Sequence, residues 1–410
     1  MGGMLAPRPA APVVTGLGAV SAAGVGRGAL WEAVSTGRVC TAPVSRFDVS
    51  GYPARMAGEV PSSALAALDS AVPVHACLAA RYLAAAVREA CEHAELALHE
   101  TSSRVGVFVG TVMGTRPILD RGIGPGRLTV AGTDWAEPER LLDLIAAAAV
   151  NGPMVLIASG CSAGNDALSR GAAAIGADEV DVAICGGADE LSQEVFALFA
   201  SMRILAPDVV RPFDVNRQGM QPAEGSAVVI IESPEHLAAR GGRALATLLG
   251  HASGADAYHL TRPRPNGSAL TDVARDCIQR SGLVADDVDW VCAHGTGTRS
   301  GDGAEARAIA NAFGAASRRP AVSSIKAVLG HAQGAAAALE AVVAVQALNA
   351  QLIPGNATLQ RPDECCSGID LVEPAGRRWP VRTVLSLAFG LGGGICAVML
   401  GRAGAVGHVR

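Results

Sequence analysis

Aromatic side chains make up only 3% of this 410-residue chain, and charged ones only 17%. With so few large rings, the core has to be assembled from small and branched aliphatic residues, with close backbone packing and many tight turns around 49 glycines. No block of lysine and arginine interleaved with aromatics occurs, and the formal charge of −5 is modest for this length. Nucleic acid is therefore excluded as a partner on electrostatic grounds. The N-terminus lacks the charged-then-apolar layout of a secretory leader, and no apolar stretch suits a membrane span. The expectation is a soluble, cytoplasmic protein. Ten cysteines are too dilute for a disulfide scaffold. They are scattered through apolar runs such as 182–185 and 290–292, as buried free thiols in a reducing compartment would be. Cys365 and Cys366 have neither CxxC spacing nor a nearby histidine, which argues against a metal there.

What the chain does have is apolar content. Half of it belongs to the hydrophobic set, ample for a large core and for two or three domains' worth of structure. Short β-branched runs read as strands at 12–15, 105–109, 154–157, 180–184 and 227–231, then at 246–249, 288–292, 321–325, 384–387 and 395–399. Helical stretches at 74–94, 140–149, 162–176, 271–281 and 334–349 alternate with them. Near-continuous apolar strands between helices predict an α/β fold with sheets covered on both faces. The stretch from Gly334 is almost entirely alanine, valine and leucine, which predicts a buried central helix. The two halves run in similar order, so we expect a duplicated unit divided into residues 1–245 and 246–410. Residues 115–140 have no clear period and read as a surface excursion or cap.

Against this background Cys161 stands where an apolar run meets a small-residue turn and then a helix. Backbone N–H groups and the helix dipole at such a position favour thiolate. His294 opens His-Gly-Thr-Gly-Thr at the end of a strand run, and His331 follows Gly330 at a second strand-to-helix turn. Paired neutral imidazoles can donate hydrogen bonds to a carbonyl, which suits an enolate or a tetrahedral intermediate. The Cys161 N–H is one candidate oxyanion donor, and the Gly-rich segment 389–393 supplies a candidate second. Lys326 lies in an apolar region and needs a buried partner; Glu340, Asp302 and Glu305 are the candidates. Arg211, Asp214, Arg217 and Glu224 form a further polar island, read as solvated turn charges.

Taken together, Cys161, His294 to Thr298, Lys326 to His331 and Phe389-Gly390-Leu391-Gly392-Gly393 resemble the β-ketoacyl-acyl carrier protein synthases, nearly end to end. The resemblance implies a duplicated thiolase fold, layered α-β-α-β-α with two mixed sheets around buried helices, and a dimer. It implies acylation of Cys161 and decarboxylative condensation with a malonyl-type extender, both thioesters arriving on the phosphopantetheine of an acyl carrier protein. No other cofactor and no metal is implied. Carried over by motif, His294 and His331 are the paired imidazoles, Lys326 the lysine beside them and Glu340 its acidic partner. Asp302 and Glu305 lend support, Thr296, Thr298 and Gly390 contact substrate, and Phe389 is a gate. The Gly160-Cys161-Ser162-Ala-Gly-Asn-Asp setting resembles ketosynthase subunits of type II polyketide systems, which often pair with a silent chain-length homologue. A homodimeric fatty-acid elongation synthase, a non-catalytic partner subunit and a thiolase-like acyltransferase are the alternatives. Cys396, inside a strand run, is a poor second thiolase cysteine. The family's Asn-Ser before the phenylalanine is Leu387-Ala388 here, its second phenylalanine is Leu391, the asparagine after the glycines is Ile395, and Ala223 opens the middle motif. These changes are expected to alter hydrogen bonding around the gate.

Overall fold

The computed structural model describes residues 10–65, 68, 77–98, 103–114, 123–124, 127–128, 141–142 and 150–404. The expected cap at 115–140 and helix at 140–149 therefore lie almost wholly outside the described residues, as do the first three positions of the helix expected from 74.

One 12-stranded sheet runs through the molecule, eleven strands in a continuous path and a short one, Gly24–Val25, paired to the first strand beside it. Its first half holds β1 (Val13–Ser21), β2 (Val105–Gly110), β3 (Met154–Ile157), β4 (Val182–Asp189) and β5 (Gly225–Glu232). The second half holds β6 (Ala246–Ala255), β7 (Trp290–Cys292), β8 (Ala321–Ser323), β9 (Asp370–Leu371), β10 (Thr383–Phe389) and β11 (Gly394–Arg402). Spatially they lie in the order β9-β8-β7-β10-β11-β6-β1-β5-β4-β2-β3. The ladder between β1 and β6 spans only Val13↔Thr247 and Val14↔Ala246, so the sheet is two mixed sheets joined by a narrow hinge of pairing. From that junction outward the halves repeat one pattern. β1 pairs antiparallel with β5 and β5 with β4, then β4 pairs parallel with β2 and β2 with β3. β6, β11, β10, β7 and β8 follow the same sequence of antiparallel and parallel pairs.

Five principal helices complete the layers: α1 (Leu78–Ala94), α2 (Ala163–Gly176), α3 (Ser268–Arg280), α4 (Arg299–Ala312) and α5 (Ala336–Ala350). α1 covers the outer face of β1, β5 and β4, and α3 covers β6 and β11 with α4 packed on it. α2 and α5 lie between the two sheets and touch each other. α5 has no polar face to show because it has sheet on both sides. Leu339, Val342, Val343, Val345 and Leu348 are all buried, each contributing about 1.5–3 kcal/mol of apolar burial. A helix sandwiched this tightly needs small residues. A methyl on Gly164 of α2 would sit 2.5 Å from the Ala338 N of α5, so only glycine lets the two helices cross at this depth.

Two expectations need correction. The strand expected over 321–325 ends at Ser323, because Ser324 and Ile325 turn into a one-turn helix, Lys326–Leu329. The polar island is mostly not solvated: Asp214, Arg217 and Glu224 are buried, while Arg211 is half-buried and pairs with the exposed Asp208. Arg217 bonds Asp363 at 2.6 Å and lies 3.8 Å from Asp302, while Glu224 is held by Arg46 and by the N–H groups of Val60 and Leu191. These charges brace loops from inside. Among the described residues no helix is long and apolar enough to cross a membrane, and all ten cysteines are free.

Candidate active site

Cys161 occupies a 3-10 turn, Gly160–Ser162, that leads from β3 into α2. The thiol is buried, and burial pushes it up to about 11 despite the opposing influence of the Lys326 cation and a backbone hydrogen bond from Leu391. The helix-start position therefore does not by itself yield a resting thiolate; desolvation outweighs it. Asp166, in the first turn of α2, accepts hydroxyl bonds from Ser159 at 2.5 Å, Ser162 at 2.9 Å and Ser253 at 2.9 Å. That clamp fixes the nucleophile turn to β6 of the other half.

The second half brings the imidazoles to the same place. His294 follows β7, and His331 follows the one-turn helix 326–329; their ring centroids stand 5.2 Å apart with the planes at 88°. The Phe389 ring lies 4.5 Å from His294. Burial first, then the Lys326 charge, holds both histidines well below the usual imidazole value, and His331 adds to the effect on His294. Both rings are thus neutral. His331 Nδ1 accepts the Gln333 N–H at 3.2 Å, so its single proton belongs on Nε2, as a donor. His294 Nδ1 has no partner among the described residues, which leaves its tautomer free to follow the substrate.

Carboxylates placed behind this pair hold it in position. Lys326 is the only lysine in the chain, is buried, and pairs with Glu340 on α5. Burial pushes Glu340 up to about 7, opposed by Lys326. Glu305 does not reach Lys326 as a partner. Its two oxygens accept the backbone N–H groups of His294 at 2.7 Å and Gly295 at 2.8 Å, and burial pushes it up to about 8. Asp302 accepts from Phe213 at 2.8 Å and Gly297 at 3.0 Å, so it too serves the loop rather than the lysine. Of the three candidate partners for Lys326, only Glu340 is engaged.

Around the thiol lies a cavity of about 300 Å³. Cys161, His294, His331, Phe389 and Gly390 line it together with Thr296 and Thr298. The two threonine hydroxyls stand 3.0 Å apart, and Thr298 also caps α4 through the Gly301 N–H. A methyl on Gly390 would lie 2.7 Å from Cys161 N and 3.2 Å from its Sγ, so the segment 389–391 presses its backbone directly on the nucleophile. Of the altered gate residues, Leu387 and Ala388 are fully buried inside β10, paired with Ala397 and Cys396. Leu391 faces the cavity, with Met202, Ile204, Met220 and Phe199 around it. Those four wall residues carry no motif in the sequence, and neither does Arg262, which also lines the cavity. Among the described residues no cluster of three or more metal-ligating side chains occurs.

The arrangement suits acyl transfer to sulfur: a shielded thiol, neutral donors opposite it, backbone N–H groups beside it and a narrow approach. Comparison with known proteins points the same way. "Beta-ketoacyl synthase, N-terminal domain" matches residues 11–236, and "Beta-ketoacyl synthase, C-terminal domain" matches residues 245–360. The chain is 32% identical over 410 residues to 3-oxoacyl-[acyl-carrier-protein] synthase 2 of Coxiella burnetii, covering 95% of this chain and 98% of that one. It is 31% identical over 416 residues to the tetracenomycin polyketide synthase ketoacyl synthase alpha subunit of Streptomyces glaucescens, covering 95% and 96%. Among solved structures, the ishigamide ketosynthase/chain length factor superposes with a TM-score of 0.90 at 31% identity, covering 97% of this chain and 100% of that one.

Proposed function

The chain belongs to the β-ketoacyl synthase family, and from that premise we propose that it is the catalytic ketosynthase subunit of a type II polyketide system. The observation that carries the proposal is the convergence of Cys161, His294 and His331 on one cavity, with both rings neutral and His331 Nε2 a donor. An acyl group passes from its carrier thioester to Cys161 Sγ, and the thiol proton leaves to the departing carrier thiol. The malonyl-type thioester then sets its carbonyl against the imidazole donors. Loss of carbon dioxide leaves an enolate whose oxygen those donors stabilise without a fixed charge. The enolate carbon attacks the Cys161 thioester. The oxyanion that forms lies near the Cys161 N–H and the backbone of 389–391, and collapse expels the cysteine sulfur, which regains a proton. Lys326 and Glu340 hold the electrostatics constant behind the rings. Thr296, Thr298 and Gly390 contact the pantetheine arm, Phe389 gates the thiol, and Asp302 and Glu305 position the His294 loop.

The partners we propose are an acyl carrier protein and either a second copy or a chain-length-factor homologue, within the cytoplasm. No cofactor is proposed beyond the phosphopantetheine that carries the substrates. We further propose functional halves at 1–245, carrying the thiol, and 246–410, carrying the imidazoles and gate. A fatty-acid elongation synthase is the second reading, favoured by the likeness to the Coxiella burnetii enzyme.

Acyl- and malonyl-loaded carrier proteins, followed by mass spectrometry, test the proposal. The expected record is acylation of Cys161, release of carbon dioxide and a ketoacyl product. Condensation that survives Cys161→Ala would remove the nucleophile from the scheme. His331→Ala should suppress condensation far more than acylation; equal loss of both refutes the division of roles.

A further inference from the structure

The turn between His331 and α5 carries a side chain that the condensation scheme does not use. Gln333 is 1% exposed, and among the described residues neither its Oε1 nor its Nε2 has a hydrogen-bond partner. Its backbone sits at φ 53°, a left-handed conformation that a side chain of this size seldom adopts. The position is held from both sides. The Gln333 N–H bonds His331 Nδ1 at 3.2 Å, and the next N–H, of Gly334, bonds the buried Asp189 at 2.8 Å. The turn Gln333–Ala335 packs against the turn Gly160–Ser162 that carries the nucleophile, and against β4. Gln333 thus stands two residues beyond His331, on the turn packed against the turn of the nucleophile.

A buried primary amide offers two donors and an acceptor, and leaving all of them unmade is costly. An unbranched apolar side chain of similar length would fill this space with no such penalty. The neighbouring polar groups illustrate the contrast: Asp189 collects bonds from Thr111, Val112, Met113 and Gly334. An orphaned amide beside a fully satisfied carboxylate marks a place where a ligand completes the bonding.

We propose that Gln333 is a specificity-determining residue that hydrogen-bonds an oxygen of the acyl chain carried on Cys161. The subunit thereby favours chains with a carbonyl or hydroxyl close to the thioester over fully reduced alkyl chains. Nε2–H serves a carbonyl oxygen, and Oε1 serves a hydroxyl or enol. The inference rests on the condensing reading above and names the substrate class of that same site.

The test is single-turnover acylation of Cys161 from carrier protein loaded with a saturated medium-length chain or with its 3-oxo counterpart, read by intact-protein mass spectrometry. The native protein should favour the 3-oxo chain by about tenfold or more. Gln333→Met should bring the ratio close to one and raise the thermal midpoint, because an unmet amide is removed. Gln333→Leu guards against a fault peculiar to methionine. If both variants gain stability but keep the native ratio, the amide serves only a trapped water and the proposal is overturned. Native protein that acylates with both chains equally also overturns it, while leaving the condensing reading intact. Native protein that accepts neither chain defeats the condensing reading itself.

Discussion

Glu305→Gln separates the two forces acting on the loop that carries His294. Glu305 accepts two backbone N–H groups at 2.7 and 2.8 Å, which favours the carboxylate, yet burial pushes it from 4.5 up to about 8. A carboxyl raised in the folded state keeps a proton that the unfolded chain releases. Its contribution to stability is therefore complete below the unfolded value and is lost as pH climbs through about 8. At roughly 1 kcal/mol per unit or somewhat more, the full shift corresponds to about 3 to 5 kcal/mol. Glutamine resembles the protonated acid in shape and hydrogen bonding and does not titrate. At about pH 5.5 the variant and the native protein should unfold at nearly the same temperature; at about pH 8.5 the variant should be the more stable by several degrees, taking roughly 1–2 °C per kcal/mol at this size. The assay is thermal unfolding of both proteins across that range. A gap that stays constant with pH would falsify the reasoning, since Glu305 would then be ionised throughout and its N–H bonds would outweigh burial.

Further expectations come from the same geometry. Gly390→Ala places a methyl 2.7 Å from Cys161 N and should reduce acylation by about a hundredfold with little change in thermal midpoint, measured on carrier-bound substrate. Alkylation of Cys161 by iodoacetamide should rise about tenfold per pH unit from pH 7 toward 10, as a thiol near 11 requires; a plateau near pH 7 would mean that the helix start does prevail. An amine-directed reagent should leave Lys326, the sole lysine, unmodified in the folded protein and reach it only after denaturation, as peptide mapping would show. Arg217→Met leaves Asp302 and Asp363 without their shared cation and should cost about 3–5 kcal/mol, visible in denaturant unfolding.

Strands such as β2, β4 and β5 could be read from the sequence because they are buried on both faces, and such strands appear as near-continuous apolar runs. α5 was equally plain, since a helix between two sheets has no polar side to obscure it. The thiol and both histidines stood out for a different reason: each lies in a Gly-rich turn, Cys161 and His294 after strands and His331 after the one-turn helix 326–329. What stayed hidden depends on distant partners. α4 begins Arg299-Ser-Gly-Asp-Gly, which has the composition of a loop, and becomes a buried helix because Asp302 and Glu305 collect N–H groups from Phe213, Gly297, His294 and Gly295. Glu224 looked solvated because Arg46, which neutralises it, lies far away in the chain. Met202, Ile204 and Met220 have no shared period, and only folding brings them to one wall. Cys161 shows the same weakness in its energetics. A helix start is visible locally, but the desolvation that outweighs it comes from the whole surrounding core.

Gly164 has a consequence beyond packing. The helix behind the nucleophile and the helix behind His331 touch where Gly164 meets Ala338, with nothing but backbone between them. The spacing of thiol and imidazole is therefore gauged by a missing side chain, and position 164 acts as a shim slot. Alanine, serine and valine inserted there form a graded set of spacers, each prising the two catalytic turns further apart without altering any group that meets the substrate.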